Sequence, residues 1–501
     1  MKFNRTVLVV FLGAFLLTAL FYKQYFGLNV LFFDVLFILW LIGSKQWSWK
    51  QPNEIIASCG FILTALFTVL THSTFSYFMH FLAISVYIGV LNYPKVRSLV
   101  NAAMISIVAL FQSQGVFGNL LSGTRMKGKT VGGLLWKARI FIIPVFIICL
   151  FLGLYSFSNP VFGDMVNHLG LGIQNTFNFI FEGLDFFLLL TFLLCLFISI
   201  YLFTRTANKD LVLQDTNAVE VLQRDKKKYP RWFKLTGLKN EYKAGVFLLL
   251  ILNVLLLILN MLDVYWVWFN FAWEGQTLKP FVHEGTYLLI FSILISIAVV
   301  LYFFRGNLNF YAKNRFLKYL SYIWIIQNGI LVISVGIRNF RYIEYFSLAY
   351  KRIGVIIFLA LVLYGLYSVV RKIQLKKSAF YLFKSNALVL YAVLVLVSFI
   401  NWDGFIAKYN FAHAHTSYLH LDYMSSLSDK SLPHLDKPLA ELVQINTIQN
   451  EKYQFEYTMQ PEEYQRIIHN RKLNFKKKWE SKNILSWNLP EYLAYKKLFK
   501  N

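Results

Sequence analysis

The stretch SVGIRNFRYIEYFSLAYKRIG, residues 334–354, concentrates positive charge: it contains one acid, Glu344, and the bases Arg338, Arg341, Lys351 and Arg352. Guanidinium groups bind phosphates and carboxylates through paired hydrogen bonds, and an ammonium group adds a compact point charge. The excess of bases predicts a site for an anion, either a phospholipid or polyprenyl phosphate head group or an acidic partner protein.

Further polar residues are expected at the same level of the molecule. The predicted outer cluster therefore consists of His283, Glu284, Arg338, Arg341, Glu344, Lys351, Arg352 and Asp403. The alternative is that the cations only pair with these acids, which would account for them structurally without a ligand.

Two polar stripes interrupt apolar runs at helical spacing. Asn253 and Asn260 share a face with Asp263. Gln327 and Ser334 share a face with Arg338 and Arg341. Such stripes join helices inside a membrane, and these two converge on the outer cluster. Asp34 is a separate case, because it lies near the middle of an apolar run and has to be paired, protonated or in contact with water.

Other motifs are weaker. GTRMKGKT, residues 123–130, matches the phosphate-loop pattern, but an apolar run precedes it where a buried strand is required, so we interpret it as a basic turn on the cytoplasmic side. HEG, residues 283–285, lacks the second histidine of a zinc motif. A metal could bind to a group of four histidines, which are His413, His415, His420 and His434. We favour the interpretation that these histidines are solvated loop residues. No catalytic residue, metal or cofactor is predicted.

The elements that position these residues follow from composition. The 501 residues are 57% hydrophobic and only 15% charged, which is too apolar for a soluble protein of this size. The net charge of +25 does not predict a nucleic-acid partner, because Lys and Arg cluster in short loops between apolar runs. We predict an all-α, polytopic transmembrane helix bundle in a lipid bilayer.

Charge also predicts orientation. No Lys or Arg lies between Arg139 and Arg205, whereas residues 204–243 carry ten. The positive-inside rule places the first segment outside and the second inside. The expectation is eleven crossings, with the N-terminus cytoplasmic and the C-terminus outside.

One apolar segment, Val96–Leu121, spoils the alternation because bases flank both its ends. We predict that it is re-entrant or lies along the cytoplasmic interface, while residues 140–157 cross. The alternative is twelve crossings with the N-terminus outside.

The pattern divides the chain into four regions. Residues 1–203 form an N-terminal transmembrane region, 204–243 a basic cytoplasmic loop, 244–400 a transmembrane core, and 401–501 a helical extracytoplasmic domain. The last region is less apolar and contains Pro433, Pro438, Pro461 and Pro490.

Several phrases follow one another from residue 240 to the C-terminus: NEYKAG, FVHEGTYLLIFSI, YFFRGNLNFY, YIWIIQNGILVISVGIRN, AYKRIGV and NWDGFIAKYN. In that order they resemble a bacterial multi-pass membrane family, the domain of unknown function four-one-seven-three, related to four-one-five-three. The resemblance implies a bacterial cytoplasmic (inner) membrane protein and carries over no catalytic residues.

Three classes of function remain. The first is a binding or scaffold protein whose outer cluster engages an anionic lipid or an envelope protein. The second is a transporter or lipid flippase, which needs titratable groups deep in the bundle. The third is a membrane-embedded enzyme.

Overall fold

The structure is a computed structural model that describes residues 5–122, 125–126, 129–130, 144, 147–148, 150–180, 185–224, 237–270, 278–453 and 459–499. The side chains of residues 122–143, 177–180 and 278–284 are outside this description. The chain forms two compact units. Unit 1 is Met1–Thr216 with Asn483–Asn488, and unit 2 is Asn217–Lys482 with Leu489–Asn501.

The described part of unit 1 is helical apart from one short hairpin. The helices are α1 (Arg5–Phe21), α2 (Leu28–Gly43), α3 (Pro52–Thr71), α4 (Thr74–Asn92), α5 (Leu99–Ser122), α6 (Pro160–Ile180), α7 (Phe186–Phe203) and α8 (Lys209–Asn217). Their apolar runs contain no interior proline, and polar caps fix several starts. The Glu54 side chain accepts from Gln51 N at 3.0 Å at the start of α3. The Asp185 side chain accepts from Phe187 N at 2.9 Å at the start of α7.

Helix α5 corrects one of the two alternatives predicted for Val96–Leu121, the re-entrant segment. It is one continuous helix, long and apolar enough to cross a membrane, rather than a re-entrant segment. It runs antiparallel to α4, and the two approach so closely that a Cβ at Gly89 would collide with the carbonyl of Ala102. The polar residues that argued against a crossing are used inside the bundle: Asn101 Nδ2 donates to Asp215 Oδ1 at 2.6 Å and Gln114 Nε2 donates to Phe197 O at 3.1 Å.

The predicted crossing of residues 140–157 falls between α5 and α7, and the structure describes it only in part. Most of residues 140–149 lie outside the described residues, and 150–158 are helical. The polar loop expected after residue 157 contains α6. Within GTRMKGKT, β1 (Arg125–Met126) pairs antiparallel with β2 (Lys129–Thr130). A phosphate loop must follow a buried strand, whereas this hairpin follows helix α5. The segment therefore lacks the structural context of a phosphate loop.

Unit 2 begins with α9 (Leu238–Asp263), which a π-helical turn, Val264–Phe269, continues. The next helices are α10 (Leu278–Phe303), α11 (Arg315–Phe346), α12 (Tyr350–Gln374) and α13 (Ala379–Val397). Helix α11 is antiparallel to α10 and α12 but parallel to α9. The distance from Trp324 Nε1 to Ser296 O is 3.3 Å, and that from Asn339 Nδ2 to Arg352 O is 3.1 Å.

The C-terminal residues add short helices to the same unit. They are α14 (Trp402–Ala412), α15 (Leu421–Ser426), α16 (Leu432–Leu435), α17 (Leu439–Lys452), α18 (Pro461–Glu480) and α19 (Leu489–Phe499). Their core includes Ile406, Met424 and Tyr464, and it continues without a break into Ile343 of α11 and Ile353 of α12. The four-region division of the sequence stays a prediction.

The all-α fold class is confirmed, since the described elements are helices apart from the two-residue hairpin and one isolated bridge. Within the described ranges, nine helices are long and apolar enough to span a membrane, and α1 and α2 are shorter apolar helices. The protein therefore has the helix content of a polytopic membrane protein.

Candidate functional site

The two predicted polar stripes meet along the contact of α9 with α11. Gln327 Nε2 donates to Asn253 Oδ1 at 2.7 Å, and Asn253 Nδ2 donates to the Leu320 carbonyl at 3.1 Å. Two turns further on, Asn260 Nδ2 donates to the Gln327 carbonyl at 3.0 Å. We call the whole set the polar seam: Asn253, Asn260, Asp263, Gln327, Ser334 and Arg338.

The seam ends in a buried ion pair between Asp263 and Arg338, whose side chains are each 7% exposed. Ser334 Oγ donates to Asp263 Oδ2 at 2.7 Å, and Trp268 Nε1 lies 3.3 Å from Ser334 Oγ. Arg338 is 23 residues along α11, about 35 Å from its start at a rise of ~1.5 Å per residue. Since hydrocarbon is about 30 Å thick, a helix that starts near one face carries this pair to the opposite membrane edge.

The seam joins α9 to α11, but two of its hydrogen-bond acceptors have no donor among the described residues. Asn260 Oδ1 and Gln327 Oε1 are buried without a hydrogen-bond partner among the described residues. The arrangement is therefore a rigid joint with spare acceptor capacity.

The remaining cations of the outer cluster have different surroundings. Arg341 Nη1 donates to Glu344 Oε2 at 3.1 Å, and both side chains are more than 40% exposed. Arg352 Nη1 donates to the carbonyls of Phe346, at 2.7 Å, and Ser347, so it caps the end of α11. Lys351 is exposed. The cluster therefore divides into the inward-facing Arg338 and Arg352 and the accessible Arg341 and Lys351.

Asp403 lies in a polar contact of its own. Its carboxylate accepts from Tyr350 Oη at 2.7 Å and from Ser428 Oγ at 2.5 Å, and Lys430 Nζ is 3.3 Å away. Burial lowers the pKa of Lys430, and Asp403 opposes that shift. Asp403 thus joins α12 to the C-terminal helices. The side chains of His283 and Glu284 lie outside the described residues, although a Cβ at the following Gly285 would be 3.4 Å from Arg338 Nη1.

Asp34 is in unit 1 and has a partner that the sequence reasoning missed. His80 Nε2 lies 3.3 Å from Asp34 Oδ2, and both side chains are less than 5% exposed. On the other side of the ring, His80 Nδ1 lies 3.4 Å from Thr64 Oγ1. The signal that could have found this site was His80 itself, an ionisable side chain inside an apolar run.

Three of the four histidines considered as a metal alternative have different surroundings. His413 stacks on Tyr409 with ring centroids 4.2 Å apart, and His420 meets Tyr418 edge to face at 4.4 Å. Partial burial, then Lys497, Lys408 and Lys437, lower the pKa of His434. Across the part of the chain that the structure describes, no three His, Cys, Asp or Glu residues are placed to hold a metal ion.

Comparison with known proteins gives one match. A family model described as Domain of unknown function (DUF4153) matches residues 6–437. The predicted resemblance to this group of families is confirmed, and it extends to the N-terminal region, where the quoted phrases had not reached. No curated protein and no solved structure matches the chain.

Proposed function

Because the chain belongs to the family described as Domain of unknown function (DUF4153), its role has to be argued from its geometry, and we propose that it is a membrane-embedded binding scaffold of the bacterial cytoplasmic membrane. Its membrane helices hold a helical platform, residues 402–453, 459–482 and 489–499, against the ends of α11 and α12. The platform and the adjoining bases engage an anionic ligand at the membrane surface.

The observation that carries this proposal is the continuous core between membrane helices and platform. Ile343 and Leu348 pack with Ile406 and Met424 in one buried cluster. Asn410 locks the junction, since its Oδ1 accepts from Leu348 N at 2.8 Å and its Nδ2 donates to Leu348 O at 2.9 Å. A domain held in this way cannot swing on a linker, which suits a surface that presents fixed groups to a ligand.

The accessible bases Arg341 and Lys351 are the proposed contacts to an anionic phospholipid head group. They lie at the end of α11 and the start of α12, where a phosphate can reach them from the head-group layer. Arg338 and Arg352 have structural roles in this proposal, because Asp263 and the α11 carbonyls engage them.

Charge removal at the two ends of α11 tests the lipid contact. Arg341→Gln with Lys351→Gln removes two bases, and Lys313→Gln with Arg315→Gln removes two exposed bases at the other end. At about 1 kcal/mol per base, the first pair should weaken phosphatidylglycerol binding roughly 30-fold in native mass spectrometry, and the control pair should not. Equal lipid retention by both pairs would overturn the proposal. Unchanged lipid retention with loss of a co-purifying acidic protein would favour the acidic partner instead.

The proposed topology has eleven crossings, with the N-terminus cytoplasmic and the C-terminus outside. It uses α1–α5, α7 and α9–α13, because α5 runs antiparallel to both α4 and α7. Residues 123–184 then start and finish on the outer side, which differs from the cytoplasmic placement of residues 123–130 argued from charge. A reporter that is active only outside the cytoplasm should be active after Asn501 and silent at residue 227; the reverse pair of results would invert the topology.

A second candidate function, a transporter, is favoured by one specific observation. The Asp34–His80 pair is an ionisable site buried among α2, α3 and α4, and such sites in membrane helices often belong to ion pathways.

A further inference from the structure

Asp34, His80 and Thr64 form a line of polar atoms inside unit 1. Asp34 Oδ2 faces His80 Nε2 at 3.3 Å, and it has no hydrogen-bond partner among the described residues. Phe61 stacks on one side of the imidazole, with ring centroids 5.8 Å apart, and Phe81 is 5.9 Å away. The pair is therefore enclosed by aromatic rings rather than by other polar groups.

The hydroxyl of Thr64 determines which nitrogen of His80 carries hydrogen. Thr64 Oγ1 donates its single hydrogen within α3, to the Gly60 carbonyl at 2.8 Å. With that hydrogen directed at the carbonyl, we assign the oxygen as the acceptor toward His80 Nδ1, at 3.4 Å. Nδ1 therefore carries a hydrogen in both the neutral ring and the imidazolium, and in the neutral ring Nε2 presents its lone pair to Asp34.

The apolar surroundings determine how many protons the Asp34–His80 pair binds, because a net charge there is unfavourable. A bare carboxylate facing the Nε2 lone pair would carry an unbalanced negative charge, whereas one added proton makes the pair neutral overall. That proton lies either on Asp34, as a carboxylic acid that donates to Nε2, or on His80, as an imidazolium that donates to the carboxylate.

No other described charged group balances the site. The interiors of α1, α5 and α7 contain no Asp, Glu, Lys or Arg. Lys23 and Asp185 pair in the loops at one end of these helices, whereas Glu54 and Arg205 lie at the other end. His72, which follows the last residue of α3, is a further titratable group at the first of these ends.

We propose that Asp34 and His80 are a membrane-embedded proton-binding site, which holds one proton between Asp34 Oδ2 and His80 Nε2 and exchanges it at the helix end formed by residues 22–27 and 72–73. The site is nearest to that end, since Asp34 and His80 each lie six residues, about 9 Å, from the start of their helices. This site goes beyond the scaffold role and is independent of the bases near α11.

A row of three threonine hydroxyls, which we call the file, lies between the site and the helix end formed by residues 22–27 and 72–73. Thr64, Thr68 and Thr71 occupy one face of α3, and each is at most 2% exposed. Thr68 and Thr71 donate to backbone carbonyls at 2.7 and 2.8 Å, so their oxygens keep acceptor capacity for water. The file finishes beside His72, whose Nδ1 contacts Tyr77 Oη. Because the hydroxyls are one turn apart, about 5.4 Å, proton exchange along them needs intervening water.

Infrared difference spectroscopy of the full chain in lipid nanodiscs, between acidic and alkaline buffer, tests the site. The wild type should show carboxyl and imidazole bands that change together with one pH midpoint. Asp34→Asn should remove both changes, whereas Glu54→Gln, which removes the other buried carboxylate of these helices, should keep them. A difference spectrum unaltered by Asp34→Asn, or a carboxyl change without an imidazole change, would overturn the proposal.

Variants at Thr64 keep both titrating groups, Asp34 and His80. They therefore test the site even if Asp34→Asn does not fold. Thr64→Val removes the acceptor for Nδ1–H, and this hydrogen bond is stronger for the imidazolium than for the neutral ring, so the midpoint should move to lower pH. Thr64→Ser keeps the acceptor and should restore the wild-type midpoint. Identical midpoints in the valine and serine variants would show that Thr64 only packs there and would refute the proton geometry.

Discussion

The polar seam and the Asp34–His80 pair place ionisable groups in two different kinds of membrane environment. At the end of the seam, Asp263 faces Arg338, a group that keeps its charge at any physiological pH. In unit 1, Asp34 faces an imidazole that can lose its charge. The first pair is locked as ions and fits a joint, whereas the second can become neutral and fits a site that changes state.

The largest expected effect comes from Asp263→Asn. Arg338 stays charged and buried after its carboxylate is lost, and breaking such a pair typically costs about 3–5 kcal/mol. Unfolding of the purified protein by denaturing detergent in mixed micelles would measure the loss. Asp263→Leu with Arg338→Leu removes both charges and should recover most of the stability. A loss below about 1 kcal/mol for Asp263→Asn would contradict the locked-ion interpretation.

The next effect comes from Asn253→Ala, in the middle of the seam. The change removes the hydrogen bond from Gln327 Nε2 and that to the Leu320 carbonyl. At about 0.6 kcal/mol per interhelical bond, with the Gln327 amide left buried, the expected loss is roughly 1–2 kcal/mol. The same mixed-micelle titration applies. Adding Gln327→Leu should return part of the loss, and a double variant that is weaker than the single one would argue against this pairing.

Helical spacing was sufficient to place the seam residues of each helix on one face. Spacing does not indicate which helix packs against that face. Only the structure shows that α9 pairs in parallel with α11, although α10 lies between them in the sequence. The role of Arg352 depends on where α11 ends, at Ser347 with φ of 64°, and a charge count cannot reveal a helix end. Residue types alone therefore could not predict that the outer cluster divides into inward-facing and accessible cations.

The errors have physical causes as well. Val96–Leu121 was judged by its flanking bases and by polar residues such as Gln114, but a buried helix contact satisfies that amide. The positive-inside rule weighs only loops, so it could not detect this compensation. His80 was overlooked because a lone histidine in an apolar run has no periodic partner in the sequence. Its partner Asp34 is on another helix.

The same substitution at the second pair should have a much smaller effect. Asp34→Asn keeps the shape of the side chain and leaves the site neutral, and the amide can still donate to His80 Nε2. We expect the free energy of unfolding at neutral pH to change by less than about 1 kcal/mol, since no buried charge loses its counterion. Asp263→Asn is the matched comparison in the same mixed-micelle titration. Equal losses for the two variants would remove the distinction between a joint and a site that changes state.

The smallest expected effect concerns His434, which contrasts with His80 because its charged neighbours are Lys497, Lys408 and Lys437. Partial burial and these ammonium groups lower its pKa in the folded protein below the ordinary value of about 6.5. As pH falls below that value, the unfolded chain binds a proton that the folded chain takes up only at lower pH. His434 therefore contributes a loss of stability as pH falls from about 6.5 to the folded pKa, and none above it.

Melting temperatures of the full chain, measured from pH 7 downward, would detect this slope as a difference between variants. His434→Asn should remove its contribution, so that the variant loses less stability than the wild type on acidification. Lys497→Gln should remove part of it, because one repelling charge is gone and the folded pKa moves back toward 6.5. If Lys497→Gln instead made the acid-induced loss steeper, the lysines would not be what disfavours the charged ring. Burial alone would then have to explain His434.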